Sequence, residues 1–408
     1  MELQGIIDNY EFTNVVLGKG SFAVVKLAIH VPTQEKVAIK IISKATVFSD
    51  GQLANQLCRE IQALRQCNHL FISKFFDFFE DNNYYYIVQE FAGHGTLLSY
   101  VNLRRKLPES QCKKFFIQIL SAIEYLHSIK ILHRDLKAEN VILDSNDNIR
   151  LIDFGLCRIF TDIDKFTTTF CGSISYAAPE VIRGEKYSGS ADVWAFGVLL
   201  YAIANCKLPW DDDNNKKLCQ KIVYTEPNYP PTFSPLLIDL LSKMLKKNPE
   251  ERITISQIKE HPWVSNDYKL PYISNKLNNQ EIFDKLQLLG FPKDEVIQNI
   301  REGKQTSATT SYEIIKRSKI TELLNQKRIL QPHIKTIKAL SDKSIGSKLP
   351  SLNLNNQNSN SNNNNKYLHR ISTKEIRDES KFAKNKILDF SKLLNLSKIP
   401  KKSFTSRP

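Results

Sequence analysis

Eight residues, His133 to Asn140 (HRDLKAEN), place a carboxylate (Asp135), an ammonium (Lys137) and an amide ligand (Asn140) within six positions. A second carboxylate, Asp153, stands thirteen residues after Asn140, directly ahead of Phe154 and Gly155. Moving a phosphoryl group requires that inventory. It needs a base to orient and deprotonate a hydroxyl, a cation beside the migrating anion, and hard oxygen ligands for Mg²⁺. A single aspartate in such a loop is ordinarily a turn or cap residue. The octapeptide with DFG at this distance is much more specific than either part.

Several elements must bring these groups together. Tyr10 to Lys44 reads as three strands, the first two joined through LGKGSFAVV, Leu17 to Val25. Small residues there let backbone amides approach a polyanion that a Cβ would crowd. Taken alone, the stretch reads equally well as a hairpin turn with two glycines. VAIK, Val37 to Lys40, ends an apolar run on a lone lysine, which elsewhere is usually a solvated edge residue. Leu53 to Asn68 has helical periodicity through Leu57, Ile61 and Leu64 and carries Glu60. Tyr84 to Glu90 is a β-rich run, and Gln111 to Leu126 is an amphipathic helix delivering the chain to HRDLKAEN.

In this order and spacing the motifs resemble those of eukaryotic serine/threonine protein kinases, over residues 10–263. The resemblance implies an α+β, two-lobed fold with a small β-rich N-lobe and a helical C-lobe. It also implies ATP as cofactor, with Mg²⁺, and transfer of the γ-phosphoryl to serine or threonine hydroxyls of proteins. Asp135 is the residue that positions and deprotonates the substrate hydroxyl, Lys137 steadies the γ-phosphoryl, and Lys40 grips the α/β-phosphates while Glu60 holds it. The resemblance likewise makes Asn140 and Asp153 the expected metal ligands. The nucleotide is expected along Leu17, Gly18, Lys19, Gly20, Ser21, Phe22, Ala23, Val24 and Val25, with Ala38, Lys40, Glu90, Ala92, Glu139, Asn140 and Asp153 completing its site. Ala23 departs from the third glycine of the family pattern, Gln89 takes the gatekeeper position, and Thr96 stands where many relatives place a ribose-contacting glutamate.

Between DFG and APE (Ala178 to Glu180) lies a polar, Thr-rich stretch in which Thr169 matches the family's activation site. A phosphate there adds about −1.5 to −2 charges and would recruit Arg134. An upstream activating kinase is therefore an expected partner. The resemblance also pairs Glu180 with Arg252 and sets Asp192 against the HRD backbone. Asn279 to Lys316 suggests three short amphipathic helices, with Leu289-Gly290-Phe291 in the first turn. This is similar to the ubiquitin-associated-like module (276–318) of AMP-activated and microtubule-affinity-regulating kinases. Together with YAAPE and the HPW ending, it points to the AMP-activated-like branch of the CAMK group. A unit of this size is marginal alone and is expected to dock on the kinase.

The charge of +14 is unevenly spread over 408 residues: residues 1–263 hold 30 Lys+Arg against 30 Asp+Glu, and 264–408 hold 27 against 13. A basic, Asn-rich, largely disordered tail (319–408) follows, with Lys381 to Leu396 as a latent amphipathic helix. An anionic surface (lipid, microtubule or RNA) is its candidate partner, and a solvated linker is the alternative. Seven scattered cysteines without a C-x-x-C pair suggest reduced thiols in a cytoplasmic or nuclear setting. No apolar run is long enough for a transmembrane segment. The competing functions are a catalytically silent kinase-fold scaffold and a binding protein acting through the tail.

Overall fold

The computed structural model describes residues 5–20, 22–49, 51–159, 172–265 and 277–329. Ser21, Thr169 and the tail from residue 330 onward, including Lys381 to Leu396, lie outside the described residues. The first part is a six-stranded antiparallel sheet in the order β1-β2-β3-β4-β6-β5. Its strands are β1 (Gly5–Ile7), β2 (Tyr10–Lys19), β3 (Ala23–His30), β4 (Glu35–Ser43), β5 (Phe75–Glu80) and β6 (Tyr84–Glu90). Alternation sends Phe12, Ala28, Val37, Ile39, Ile41, Tyr86 and Val88 into one core face. The other face of β4 presents Ala38 and Lys40, and Ala38 pairs in register with Gln89 of β6. Sequence reading missed β1, whose three residues are too few for a periodic signal.

Two helices, α1 (Lys44–Ser49) and α2 (Gly51–Gln66), cross over between β4 and β5. Helix α2 buries Leu57, Ile61 and Leu64, which turns Glu60 toward β4. The helical lobe begins with α3 (Leu97–Arg104), capped by Thr96, whose Oγ accepts from the Ser99 N–H at 3.1 Å. Helix α4 (Glu109–Ser128) buries Phe115, Phe116, Ile119, Leu120, Ile123 and Leu126, the stripe expected from the sequence. Short strands β7 (Ile131–Leu132), β8 (Val141–Leu143), β9 (Ile149–Leu151) and β10 (Arg158–Ile159) then frame the HRD and DFG segments.

Beyond them come α5 (Pro179–Ile182), α6 (Ser190–Asn205), α7 (Asn215–Tyr224), α8 (Pro235–Met244), α9 (Ile255–Glu260) and α10 (Pro262–Ser265). Helix α6 is buried nearly all round, including Trp194, and forms the spine of this lobe. Arg252 donates to Glu180 through both terminal nitrogens, at 2.7 and 2.9 Å, in a pair shut away from water.

A three-helix unit follows: α11 (Asn279–Leu288), α12 (Lys293–Glu302) and α13 (Ser307–Ile329). Its own core is Ile282, Leu286, Val296, Ala308, Tyr312 and Ile315. Ile314, one residue from that core, instead joins the apolar face of the six-stranded sheet. Adjacent helical positions point about 100° apart, so α13 serves two cores at once. Gln305 donates to the Phe76 carbonyl at 2.7 Å, Ser318 to Glu35 at 3.1 Å, and Lys74 pairs with Glu313 at 3.3 Å. The unit is therefore seated on the N-lobe, as a small core too weak to stand alone requires.

Candidate active site

The charged groups expected in the cleft come from four segments: Lys40 from β4, Glu60 from α2, Asp135 and Lys137 from the loop after β7, and Asp153 from the loop after β9. Lys40 Nζ on β4 lies 2.5 Å from Glu60 Oε1 on α2 and 3.9 Å from Asp153 Oδ1. Burial alone would lower the lysine's pKa, but the carboxylates of Glu60 and Asp153 outweigh it and hold the ammonium above its ordinary value. Asp153 shows the mirror image: burial would raise it, and Lys40 with the Gly155 N–H holds it below the usual carboxylate range. Its backbone has φ +64°, a left-handed geometry that aspartate tolerates and that turns the carboxylate toward Lys40.

Asp135 is buried, and its Oδ2 accepts from Lys137 Nζ at 2.6 Å and from Asn140 Nδ2 at 2.8 Å. The Asn140 amide also donates to the Asp135 carbonyl at 2.8 Å, fixing which way its oxygen points. Asp192 of α6 accepts from the backbone N–H groups of His133 and Arg134 at 3.1 and 3.0 Å. His133 donates from Nε2 to the Ile152 carbonyl and accepts the Asp135 N–H at Nδ1, which links HRD to DFG through one neutral ring. Burial lowers its pKa against the pull of Asp192, Asp135 and Asp153, so the neutral form persists. Arg134 lies with its guanidinium over the Tyr187 ring, 5.6 Å from the centroid.

Other expected residues are placed less centrally. Gly18, Lys19, Val24 and Val25 form the β2–β3 hairpin, with Lys19 opposite Val24 and Gly18 opposite Val25. The Gly20 N–H donates to the Ala23 carbonyl at 2.9 Å, and Leu17 and Phe22 are exposed. Gln89 faces the cleft beside Ala38, and its Nε2 is buried without a hydrogen-bond partner. Ala92 is half-buried just past β6, and Glu139 is exposed. The side chain of Glu90 turns away from the cleft: it pairs with Arg150 and Arg317 behind the sheet, so only its backbone borders the site.

Two contributors were not singled out from sequence. Lys137 Nζ also donates to Ser173 Oγ at 3.3 Å, tying the segment before APE to the catalytic loop. Gly172 has φ +91°, and a Cβ there would fall 2.9 Å from the Arg134 carbonyl and 3.2 Å from Asp135 Oδ1. The signal was the short CGS run ahead of APE, read only as a landmark. Arg150 and Arg317 were missed altogether, since nothing local marks an arginine that pairs across the fold.

The donor set fits nucleotide with metal. A held ammonium and two oxygen ligands, Asn140 and Asp153, suit Mg²⁺, which ordinarily takes one or two protein ligands and completes its shell with phosphate oxygens and water. Among the described residues no group of three His, Cys, Asp or Glu forms a closed metal cage.

Residues 12–264 match the protein kinase domain family. The chain belongs to that family, on its SNF1/AMP-activated-related serine/threonine branch. It is 38% identical over 366 residues to the SNF1-related protein kinase catalytic subunit alpha KIN12 of Arabidopsis thaliana, covering 86% of this chain and 72% of that one. The carbon catabolite-derepressing protein kinase of Saccharomyces cerevisiae is 38% identical over 346 residues, 77% of this chain and 54% of its own length. Serine/threonine-protein kinase SIK2 of Gallus gallus is 38% identical over 312 residues, 73% and 39% respectively. The chain thus spans about three quarters of the plant relative and about half or less of the other two. Kinases of this family use ATP, typically with Mg²⁺, to phosphorylate protein hydroxyls. No helix among the described residues is long and apolar enough to cross a membrane.

Proposed function

We propose that this kinase binds ATP with Mg²⁺ between its lobes and transfers the γ-phosphoryl to serine or threonine through the residues described above. The observation that carries the reading is the three-way contact of Lys40 with Glu60 and Asp153. Lys40, held by Glu60, grips the α/β-phosphates while the hairpin from Leu17 to Val25 covers them. The purine lies along Ala38 and the backbone of Glu90 to Ala92, with Gln89 at its inner edge. Asn140 and Asp153 hold the metal, which when bound neutralises charge on the phosphate oxygens. Asp135 orients the incoming hydroxyl and takes its proton at a carboxylate oxygen, and Lys137 faces the transferred group. Asp135→Asn tests the assignment: phosphate transfer from ATP to a mixed Ser/Thr peptide pool should fall by about 10²–10⁴-fold while nucleotide binding persists. Retained transfer would remove Asp135 from its role.

Regulation follows from chemistry outside the cleft. We infer that phosphorylation of Thr169 by an upstream kinase activates the enzyme by adding a dianionic group that pairs with Arg134 and orders the segment. Full activity of Thr169→Ala with no phosphate on the loop would overturn this. The module at 276–318 acts in cis as a ubiquitin-associated-like unit docked on the N-lobe; its last helix runs on to Ile329, past the boundary expected at 318, so it is the tail from 330 that reaches toward an anionic surface in the cytoplasm or nucleus. A silent scaffold finds no support in the site, where each charge needed for transfer has its partner.

A further inference from the structure

Four charges meet behind β6, on the side of the hinge opposite the cleft. The kinase body supplies three: Glu90, Asp144 and Arg150, respectively 7%, 7% and 0% exposed. Arg150 Nε donates to Glu90 Oε1 at 2.7 Å, and its Nη2 lies 3.6 Å from Asp144 Oδ2. Two carboxylates against one guanidinium leave a net negative charge almost out of reach of water, which is costly. Arg317 of α13 restores the balance. It donates to Glu90 Oε2 from Nε at 2.8 Å, and its Nη2 lies 2.7 Å from the same oxygen.

The same guanidinium does more than neutralise. It donates to the carbonyls of His69, Leu70 and Ile72 at 3.3, 2.8 and 3.0 Å, in the stretch that leads from α2 to β5. The Glu90 N–H meanwhile donates to the Lys74 carbonyl at 2.8 Å, and the Lys74 N–H donates back to Glu90 Oε2 at 3.2 Å. One planar fork thus spans the loop that follows the Glu60 helix, the hinge strand and, through Glu90, the core of β9. A lysine could carry the charge but not that geometry.

We propose that Arg317, which lies beyond the kinase domain that ends at residue 264, is a positioning residue for the nucleotide: from behind it clamps Glu90 and residues 69–72 so that the hinge backbone is fixed where the purine is to lie. The proposal rests on the reading that ATP lies against residues 90–92. It makes the docked helix a supporting part of the nucleotide site.

The test uses the full 408-residue chain. A fluorescent N-methylanthraniloyl-ATP is titrated in the presence of Mg²⁺, KM for ATP and kcat are measured with a peptide acceptor, and melting temperature is recorded for each variant. Arg317→Gln is expected to raise the analogue's Kd and the KM for ATP about tenfold, within ordinary site-to-site coupling, with kcat moving less than about twofold. Arg317→Lys, which keeps the charge and so the fold, should raise both about threefold because the fork to residues 69–72 is lost. In the double variant Glu90→Gln/Arg317→Gln, Asp144 and Arg150 balance each other, so KM should fall back below that of Arg317→Gln alone. Unchanged affinity in Arg317→Lys, tighter binding in Arg317→Gln, or strictly additive losses in the double variant would each overturn the proposal. Failure of the unmodified chain to bind the analogue would instead sink the nucleotide site itself.

Discussion

The front and the rear of the hinge are built from the same side-chain chemistry and put it to opposite uses. In front, Lys40, Lys137 and Asp153 each have a protein partner yet stay part-exposed, Asp153 at 45% of its side chain, while Asp135 is buried. Behind, Glu90, Asp144, Arg150 and Arg317 turn inward and satisfy one another. Charges left part-exposed are available to a ligand, whereas charges that pair with one another out of water fix geometry. Electrostatic preorganisation in front depends on the second kind of cluster holding the first in place.

Breaking the front should abolish chemistry without disturbing the fold. Asp135→Asn is expected to reduce kcat by about 10²–10⁴-fold, the usual worth of a general base, with a melting curve like that of the unmodified protein. Breaking a saturated cluster should do the reverse. Glu90→Ala strands Arg317 and leaves Asp144 as the one carboxylate facing two buried guanidinium groups, and Glu180→Ala strands Arg252; each is expected to cost about 3–5 kcal/mol in denaturant unfolding. If Glu90→Ala were as stable as the parent protein, the rear could not be the fixed side of the comparison.

Glu60→Gln tests the boundary between the two, because Glu60 belongs to the front yet exists only to aim Lys40. Its loss should lower kcat/KM by about 10²-fold, the scale of a small misplacement of a reacting group, and leave stability nearly unchanged.

The smallest effect is expected from acid. His69, whose carbonyl receives Arg317, has its pKa lowered to about 4 by burial and then by Arg317 itself, and His133 in front is lowered by burial too. A histidine whose folded pKa lies below its unfolded value near 6.5 leaves the unfolded chain binding more protons below that pH. Stability is therefore intact above pH 6.5 and falls as the pH drops toward the folded value, by up to about 1.4 kcal/mol per pH unit for each such ring. Melting temperatures at pH 7.5 and 5.0 measure this, and an equal melting temperature at both would contradict it. Asp153 and Glu90, both held below their ordinary values, add their share only as the pH falls below the carboxylate range.

The front of the hinge was largely legible in the sequence, and the rear was not. HRDLKAEN, DFG and VAIK were recognised as motifs, helical periodicity marked the segment that carries Glu60, and the structure brings Lys40, Glu60 and Asp153 together as the resemblance implies. Glu180 with Arg252, and Asp192 with the HRD backbone, were also foreseen through the resemblance. Glu90 was read through the resemblance as a nucleotide neighbour by its backbone; what went unforeseen is that alternation along β6 sends its carboxylate to the other face, to Arg150 and Arg317. Ile314 packs into the sheet core while its neighbours Tyr312 and Ile315 stay in the core of their own unit. A helix with two apolar neighbours has no one-stripe signature, so periodicity alone could not divide them.

The sequence by itself determined the chemistry: which side chains could serve phosphoryl transfer and in what order they occur, with their meeting in one place implied by the family resemblance. Only the tertiary structure decided that Arg317, 227 positions from Glu90, completes the support of the hinge. The physical reason is range. Propensity and periodicity act over a few residues and are written locally, whereas charge balance in a buried cluster is a sum over whatever the finished fold brings within a few ångströms.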